Sequence, residues 1–355
     1  MRVLVYGAGA VGGYLGACLA HHAHEVTMVT RPVTANIIDE QGLTIRQPGG
    51  RYVVRPRVVS SVRQAFLNDA SYDLILMTMK SYDLADAINP LLAFCPNPPT
   101  VITLQNGLGL EEIVIEQLGP GRVVSGTLTT PVSREIPERI IVERENRGLG
   151  LAPTAPEQKI GQWVQLFQSA GLTTLRVPDF HAMKWSKALL NMIGNATSAI
   201  LNRHPSVIYK HRPTYDLEIA MLRETLAVMR RLKYRVVDLP GTPTRRLANA
   251  VRLLPSAVTQ SVLSSIVAEG RGNKMPSFHI DLVSGRHKNE VLYHNAAVAQ
   301  MGQKVGVSTP VNQALGDILL KIVAGEIPWE TYQGNPQKLV TDVKQYQEQA
   351  RTRKP

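Results

Sequence analysis

The chain has 355 residues, of which 44% are hydrophobic, and it carries a formal net charge of +11. This length favours two domains. No apolar run reaches the ~20 residues that cross a bilayer, so we expect no membrane partner. Cys18 and Cys95 are the only cysteines, which favours a reducing, cytoplasmic location and predicts no metal site.

The positive charge makes nucleic acid a partner to consider. The lysines and arginines are nevertheless scattered, with small clusters such as Arg230–Arg235, and aromatic residues make up only 5% of the chain. No extended basic stretch is interleaved with aromatic residues, as a nucleic-acid-binding surface would require. We therefore predict that the positive field attracts a small anionic ligand and that nucleic acid is not a partner.

The first motif is a glycine-rich turn that directly follows a short apolar segment. Arg2–Tyr6 predicts a buried strand, the next six residues read GAGAVG, and Ala10–His21 predicts a helix. In such a turn Gly7 permits the tight bend, Gly9 lets the backbone approach a phosphate, and Gly12 lets the helix pack closely on the strand. The amino end of the helix adds free N–H groups and a positive dipole end. We predict dinucleotide binding here, the alternative being a glycine-rich surface turn. The predicted cofactor-binding residues of this turn are Gly7, Gly9, Ala10, Val11 and Gly12.

Arg31 lies just beyond the second predicted strand, Glu25–Val29. A carboxylate at the end of this strand would accept a hydrogen bond from the ribose 2′-hydroxyl of NAD, whereas a guanidinium suits a 2′-phosphate. We therefore predict that the cofactor is NADP(H) and that Arg31 binds it. The alternative is that Arg31 is a solvated loop residue.

Strand-like and helix-like segments alternate over 1–178, which predicts an α/β domain with a doubly wound, mostly parallel sheet of Rossmann type. Arg139–Val142 and Gly148–Ala152 are expected to extend this sheet in antiparallel fashion. Ligands of such sheets bind at the carboxyl ends of the strands. Lys80 and Asn106 each follow a predicted strand, so Lys80 is predicted to meet phosphate or substrate charge and Asn106 the ribose or nicotinamide. The alternatives are an ordinary strand end and an Asn-Gly turn.

From Phe180 onward the helical periodicity predicts an all-helical domain for substrate binding and dimerisation over 179–330, followed by a polar, basic tail over 331–355. Phe180–Asn202 is expected to form one helix. At ~100° per residue, its polar side chains fall on one stripe roughly 80° wide. Because asparagine disfavours helix interiors, the stripe indicates a polar ligand cleft, the alternative being a solvated outer face. Its members are Lys184, Lys187, Asn191, Asn195, Ser198 and Asn202.

The chain resembles the ketopantoate reductase (2-dehydropantoate 2-reductase) family from Met1 to about Trp329. The Lys-x3-Asn-x3-Asn spacing of Lys187, Asn191 and Asn195 is the most specific part of this resemblance. The other parts are the GAGAVG turn, Arg31, Lys80, LQNG at Leu104–Gly107, GTLTT at Gly126–Thr130, Trp185, the Ser264/Ser265 pair, Ile280-Asp281 with Gly285, and Gly306–Pro310.

The resemblance implies an NADPH-dependent reductase of a small 2-oxo acid, with 2-dehydropantoate as the first candidate. It implies that Lys187 is the general acid and that Asn191 and Asn195 bind substrate oxygens beside it. It also implies that Ser265 binds the substrate carboxylate and that Asn106 lies near the nicotinamide and the substrate. Elementary chemistry agrees, because hydride addition builds negative charge on the ketone oxygen and a lysine in an apolar cleft has its pKa lowered into a range that suits proton donation.

His279 departs from the family pattern, because the family carries an active-site glutamate at this position. We include His279 in the catalytic set as a polar contact, the alternative being an ordinary histidine on a helix. The departure leaves open a related reductase of another 2-oxo acid or an imine. A non-catalytic NADPH-binding sensor is a further alternative. The large helical domain also favours a homodimer.

Overall fold

A computed structural model of the protein describes residues 1–255, 258–260, 263–264 and 274–352. The chain divides into two compact units. The first comprises Met1–Lys184 with Leu239–Thr242, and the second comprises Trp185–Asp238 with Pro243–Pro355. No helix in these described ranges is long and apolar enough to span a membrane.

The first unit alternates strands with helices. Its strands are β1 (Arg2–Tyr6), β2 (Glu25–Val29), β3 (Leu43–Gln47), β4 (Gly50–Val54), β5 (Arg57–Val59), β6 (Leu74–Met77), β7 (Thr100–Thr103), β8 (Val123–Leu128), β9 (Val132–Ile136), β10 (Arg139–Val142), β11 (Leu149–Pro153) and β12 (Thr174–Arg176). Its helices are α1 (Ala10–His21), α2 (Pro32–Gln41), α3 (Val62–Ala65), α4 (Leu84–Phe94), α5 (Leu110–Leu118), α6 (Gly161–Ser169) and the first part of α7 (Phe180–Met192).

Eight strands form the main sheet, in the order β12-β11-β8-β7-β6-β1-β2-β5. Every neighbouring pair is parallel except β8 with β11. All four residues of β6 are buried, as are Val3, Leu4 and Val5 of β1. Strands that are apolar throughout, instead of alternating, are typical of a parallel sheet covered by helices on both faces. The predicted fold class is confirmed.

A second sheet of four strands, in the order β4-β3-β10-β9, packs on α1. The expected extension of the main sheet is therefore wrong for Arg139–Val142, which pairs with β3 and β9. The physical reason is its alternation, since Ile140 and Val142 are buried while their neighbours are only partly covered, and one buried face suits a small sheet laid on a helix. The expectation holds for Gly148–Ala152, whose strand β11 pairs antiparallel with β8.

The described part of the second unit consists of helices. After α7 come α8 (Ala196–Leu201), α9 (Pro205–Lys210), α10 (Arg212–Arg231), α11 (Thr244–Leu253), α12 (Ser277–Val283), α13 (Asn295–Lys304), α14 (Pro310–Val323) and α15 (Pro336–Thr352). Helix α14 is buried along most of its length. Helix α15 lies in the polar C-terminal segment, where Leu339, Val340 and Val343 are buried.

The expected single helix over Phe180–Asn202 is wrong. Helix α7 ends at Met192 and α8 begins at Ala196, with Gly194 between them at φ +58. Glycine adopts a positive φ without steric cost. The Gly194 N–H, freed from the helical ladder, donates to the buried Glu218 carboxylate over 2.7 Å. The polar residues before and after this break therefore do not share one helical stripe.

Glu224 on α10 lies at the amino end of α14. Its carboxylate oxygens accept hydrogen bonds from the backbone N–H groups of Val311 and Asn312, both over 2.9 Å, and from the Asn312 amide over 2.8 Å. These bonds favour the ionised form. Burial outweighs them and raises the pKa of Glu224 from 4.5 to about 7.

We predict that deprotonation of Glu224 makes the free energy of unfolding fall as the pH rises from about 4.5 to 7. Because its pKa is higher in the folded state than in the unfolded state, the folded protein binds the proton more tightly, and this stabilisation is lost as the pH rises. The loss is at most ~3 kcal/mol. Urea unfolding of the wild-type protein and of Glu224→Gln, which cannot titrate at this position, measures the loss. It is the difference between the two proteins in how the free energy of unfolding changes with pH. The same pH dependence in both proteins would contradict the prediction.

Candidate active site

The glycine turn has the geometry that its sequence predicts. Gly7 follows β1 at φ +112, and its N–H donates to the Val29 carbonyl oxygen over 3.1 Å. A Cβ on Gly7 would lie 2.6 Å from the Met79 nitrogen, and one on Gly12 would collide with the Gly7 carbonyl oxygen. A Cβ on Gly9, in contrast, would meet nothing within 4 Å. The turn is thus closed against the sheet at two glycines and open at the third.

This open side fits the pyrophosphate of a dinucleotide. Gly9 is the N-cap of α1, and the first-turn N–H groups of Ala10, Val11 and Gly12 have no acceptor within the helix. The first turn contains no acidic residue, so the positive end of the helix dipole is not neutralised. Backbone donors, an open approach and a positive dipole together can hold a phosphate group.

Lys80 and Asn106 lie at the same edge of the sheet as the glycine turn, because β1, β6 and β7 are adjacent and parallel. The loops that carry them are joined by side chains. The Ser81 hydroxyl donates to the Asn106 carbonyl oxygen over 2.5 Å, and the Gln105 amide donates to the Met77 carbonyl oxygen over 2.9 Å. The first unit therefore brings the predicted cofactor residues of three strands together.

A buried ion pair lies behind this edge, and sequence reasoning missed it. Lys184 Nζ is 3.0 Å from Glu111 Oε1, and the two side chains are 5% and 1% exposed. Lys184 also donates to the Gln105 carbonyl oxygen over 2.5 Å. The hydroxyls of Thr103 and Ser125 donate to the same Glu111 oxygen over 3.0 and 2.9 Å. The pair fixes the backbone immediately before Asn106.

Arg31 is the N-cap of α2, two residues after the end of β2, and its side chain is exposed. Within the described ranges, no hydrogen bond or ion pair engages its guanidinium. An exposed cation at the end of the second strand is in the position from which a 2′-phosphate is recognised. The residues of the first unit therefore fit a dinucleotide cofactor.

In the second unit, Lys187 and Asn191 lie four residues apart on α7, and both are partly buried. Asn191 Nδ2 is 3.5 Å from Nε2 of His294, a histidine that is 1% exposed. His294 Nδ1 lies 3.2 Å from the Glu290 carbonyl oxygen, so the proton is assigned to Nδ1 and Nε2 is left as an acceptor. Sequence reasoning missed His294, which orients the Asn191 amide.

Asn195 follows the helix break and is 3% exposed. Its amide nitrogen donates to the Asn191 carbonyl oxygen over 3.0 Å and to the Ser277 hydroxyl over 3.2 Å, while its amide oxygen accepts the Phe278 N–H over 3.0 Å. Asn195 thus ties the end of α7 to the start of α12. Its predicted substrate contact stays a prediction.

Glu218 on α10 stabilises the break between α7 and α8. It is fully buried, and its carboxylate accepts hydrogen bonds from the Gly194 N–H over 2.7 Å, the Thr197 hydroxyl over 2.6 Å and the Tyr209 hydroxyl over 2.9 Å. Several donors converging on both oxygens satisfy an acid that would otherwise be costly to bury.

The last two predicted site residues are His279 and Ser265. His279 Nε2 is 2.7 Å from Asn202 Oδ1, and its ring packs edge-on against Trp329 with centroids 5.7 Å apart. Burial lowers the pKa of His279, so the neutral ring is favoured. Ser265 lies outside the described residues. The catalytic role of His279 and the substrate-binding role of Ser265 stay predictions.

Family profiles match both parts of the chain. The family profile described as Ketopantoate reductase PanE/ApbA matches residues 3–150, and the profile of the C-terminal part of the same family matches residues 179–322. The chain belongs to the ketopantoate reductase PanE/ApbA family. The predicted family is confirmed, and with it the prediction that the protein is an oxidoreductase.

Named relatives match most of the chain. The 2-dehydropantoate 2-reductase of Halobacterium salinarum is 27% identical over 90% of this chain and 98% of that protein. The enzyme of the same name from Pyrococcus horikoshii is 29% identical over 63% of this chain and 72% of its own. A crystal structure of a PanE/ApbA family ketopantoate reductase from Ralstonia eutropha has a TM-score of 0.76 at 22% identity, covering 92% of this chain and 99% of that one. This last likeness shows a shared fold.

We predict that Lys184→Met lowers the free energy of unfolding by about 3–5 kcal/mol, because it leaves Glu111 buried without its cation. The double variant Lys184→Met/Glu111→Gln should recover much of this loss, since the glutamine oxygen still accepts from the hydroxyls. Lys338→Met is the control, because Lys338 is 44% exposed in its pair with Asp342, and an ion pair of a surface lysine is worth about 1 kcal/mol or less. Denaturant unfolding of the wild-type protein and the three variants measures these differences. A double variant no more stable than Lys184→Met would refute the assignment.

Proposed function

We propose that the protein reduces 2-dehydropantoate, a small 2-oxo acid, to the corresponding 2-hydroxy acid with NADPH. Membership of the ketopantoate reductase family supports the reaction class. The observation that carries the proposal is the pair of Lys187 and Asn191, one helical turn apart on α7, with the Asn191 amide oriented by buried His294.

NADPH is the proposed cofactor, and when bound its reduced nicotinamide supplies the hydride. The open glycine turn of Gly7–Gly12 supports pyrophosphate binding. Arg31 supports a preference for the 2′-phosphate over the 2′-hydroxyl, because a guanidinium forms charge-assisted hydrogen bonds to phosphate oxygens. Lys80 and Asn106 are proposed to contact the cofactor from the same edge, with Asn106 also near the substrate.

Lys187 is the proposed general acid. As the hydride reaches the carbonyl carbon, negative charge develops on the 2-oxygen of the substrate, and the ammonium group stabilises this charge and donates a proton to it. Asn191 is proposed to hydrogen-bond the same oxygen. Because one N–H of its amide points at His294, the other is available to the substrate. Asn195 supports this pair by fixing the start of α12 beside it.

Ser265 and His279 complete the proposed set. Ser265 is proposed to bind the substrate carboxylate through its hydroxyl. His279 is proposed as a polar contact, and since Nε2 is engaged by Asn202, Nδ1 is the atom left for a substrate group. A homodimer and a cytoplasmic location are also proposed, and light scattering of the purified protein tests the first of these.

We predict that Lys187→Ala lowers kcat by about 10²–10⁴-fold, because the alkoxide loses its proton donor, while the affinity for NADPH stays unchanged. Stopped-flow or steady-state NADPH oxidation measures the rate, and nicotinamide fluorescence measures the binding. Lys304→Ala, at an exposed lysine at the end of α13, is the control and should keep full activity. A Lys187→Ala enzyme with near-normal kcat would exclude the assignment.

Substrate identity has its own test. We predict that 2-dehydropantoate is reduced with a higher kcat/KM than a panel of other 2-oxo acids and a cyclic imine, because the chain belongs to the ketopantoate reductase family. Fast reduction of another compound with 2-dehydropantoate inert would show a related reductase of different specificity. NADPH binding with no turnover of any compound would indicate a sensor.

A further inference from the structure

Arg134 lies in β9, the edge strand of the small sheet, and this sheet places it beside the start of α1. Arg134 is the cross-strand partner of Ile140 in β10. The Ile140 side chain is 3.2 Å from the position that a Cβ on Gly13 would occupy. Because directly opposed residues share one face of a sheet, Arg134 stands next to the helix turn that follows the GAGAVG motif.

The direction of the Arg134 side chain follows from its strand. Val132, two residues earlier, packs against the core, so Arg134 lies on the same face. Glu135, the next residue along the chain, is exposed and pairs with Arg139 over 3.0 Å. Arg134 is partly buried and donates through Nε and Nη2 to the Pro137 carbonyl oxygen, over 3.0 and 2.6 Å. This contact leaves the other edge of the guanidinium for a further acceptor.

Arg31 is the second cation at this place. Burial, and then the positive charge of Arg31, lower the pKa of Arg134, and Glu138 offsets part of this effect. Geometry places Arg31 at the same helix end as Arg134. The Gly7 and Ala8 N–H groups donate to the Val29 carbonyl oxygen over 3.1 Å, which holds the end of β2, two residues before Arg31, at the first turn of α1. Two neighbouring arginines, one partly buried and one exposed, favour an anion that can accept from both.

We propose that Arg134 and Arg31 together form a two-guanidinium site for the phosphomonoester of the cofactor, its 2′-phosphate, with Arg134 supplied by the small sheet. The inference rests on the proposed use of NADPH. A phosphomonoester carries a charge of about −1.5 to −2 at neutral pH and offers three acceptor oxygens, which matches two forked donors better than one. NADH has a 2′-hydroxyl at the same position and gains little from a second guanidinium.

The test compares binding of NADPH, NADH and 2′,5′-ADP to the wild-type protein, Arg134→Met and Arg31→Met. Nicotinamide fluorescence follows the first two ligands and calorimetry follows 2′,5′-ADP, so the readout does not depend on turnover. We expect Arg134→Met to weaken NADPH and 2′,5′-ADP by about tenfold or more and to leave NADH unchanged. Arg139→Met removes a cation from the same sheet outside the proposed site and should change none of the three. Arg134→Lys keeps the charge without the fork, so an intermediate loss is expected, and it serves if Arg134→Met does not fold.

The outcomes separate this inference from the proposed function. If the wild-type protein prefers NADPH and both Arg134→Met and Arg134→Lys keep the full preference, the role of Arg134 is overturned and the proposed function is not. Equal losses for NADPH and NADH also overturn it, because they show that Arg134 only supports the sheet. A wild-type protein that binds NADH as tightly as NADPH overturns the proposed cofactor and the inference with it.

Discussion

The hydrogen bonds that converge on Glu218 determine where α7 ends, and the candidate catalytic residues depend on this ending. A buried carboxylate is stable only when its oxygens are satisfied, and the Gly194 N–H, available because the helix stops, is one of its donors. If α7 continued, Asn191 and Asn195 would lie on one face of one helix. The break lets Asn191 point toward His294 while Asn195 joins the start of α12. The side-chain amides of Asn191 and Asn195 therefore have different hydrogen-bond partners.

In the first unit, too, a buried charged side chain fixes a backbone segment, but here the side chain is a cation. Lys184 is buried with Glu111 and donates to the backbone just before Asn106. An ion pair of this kind adds little net stability compared with an apolar pair, but losing either partner is costly. Its value is geometric, because it fixes the backbone of the loop after β7 against Lys184. Buried charges therefore hold the polar groups in place in both units.

The sequence predicts the features that depend on neighbouring residues. The GAGAVG turn and the position of Arg31 follow from turn chemistry and strand ends, which are local. The missed features join distant residues: Gly194 and Glu218 are 24 apart, Lys184 and Gln105 are 79 apart, and Asn191 and His294 are 103 apart. Periodicity alone placed Lys184 on the same stripe as Lys187, because an ideal helix wheel contains no information about a partner brought in by the fold.

The net charge acts on the local concentration of anionic ligands, whereas individual arginines act on which ligand is bound. A formal charge of +11 raises the local concentration of any anion, including NADH, NADPH and a 2-oxo acid, and salt screens this effect. Because this field is diffuse and screened by salt, it distinguishes only weakly between two cofactors that differ by one phosphate. The proposed two-guanidinium site would make this distinction, because two forked cations gain more from a phosphate dianion than from a hydroxyl. In this proposal, discrimination between the cofactors depends on where the small sheet places a guanidinium rather than on how many the chain contains.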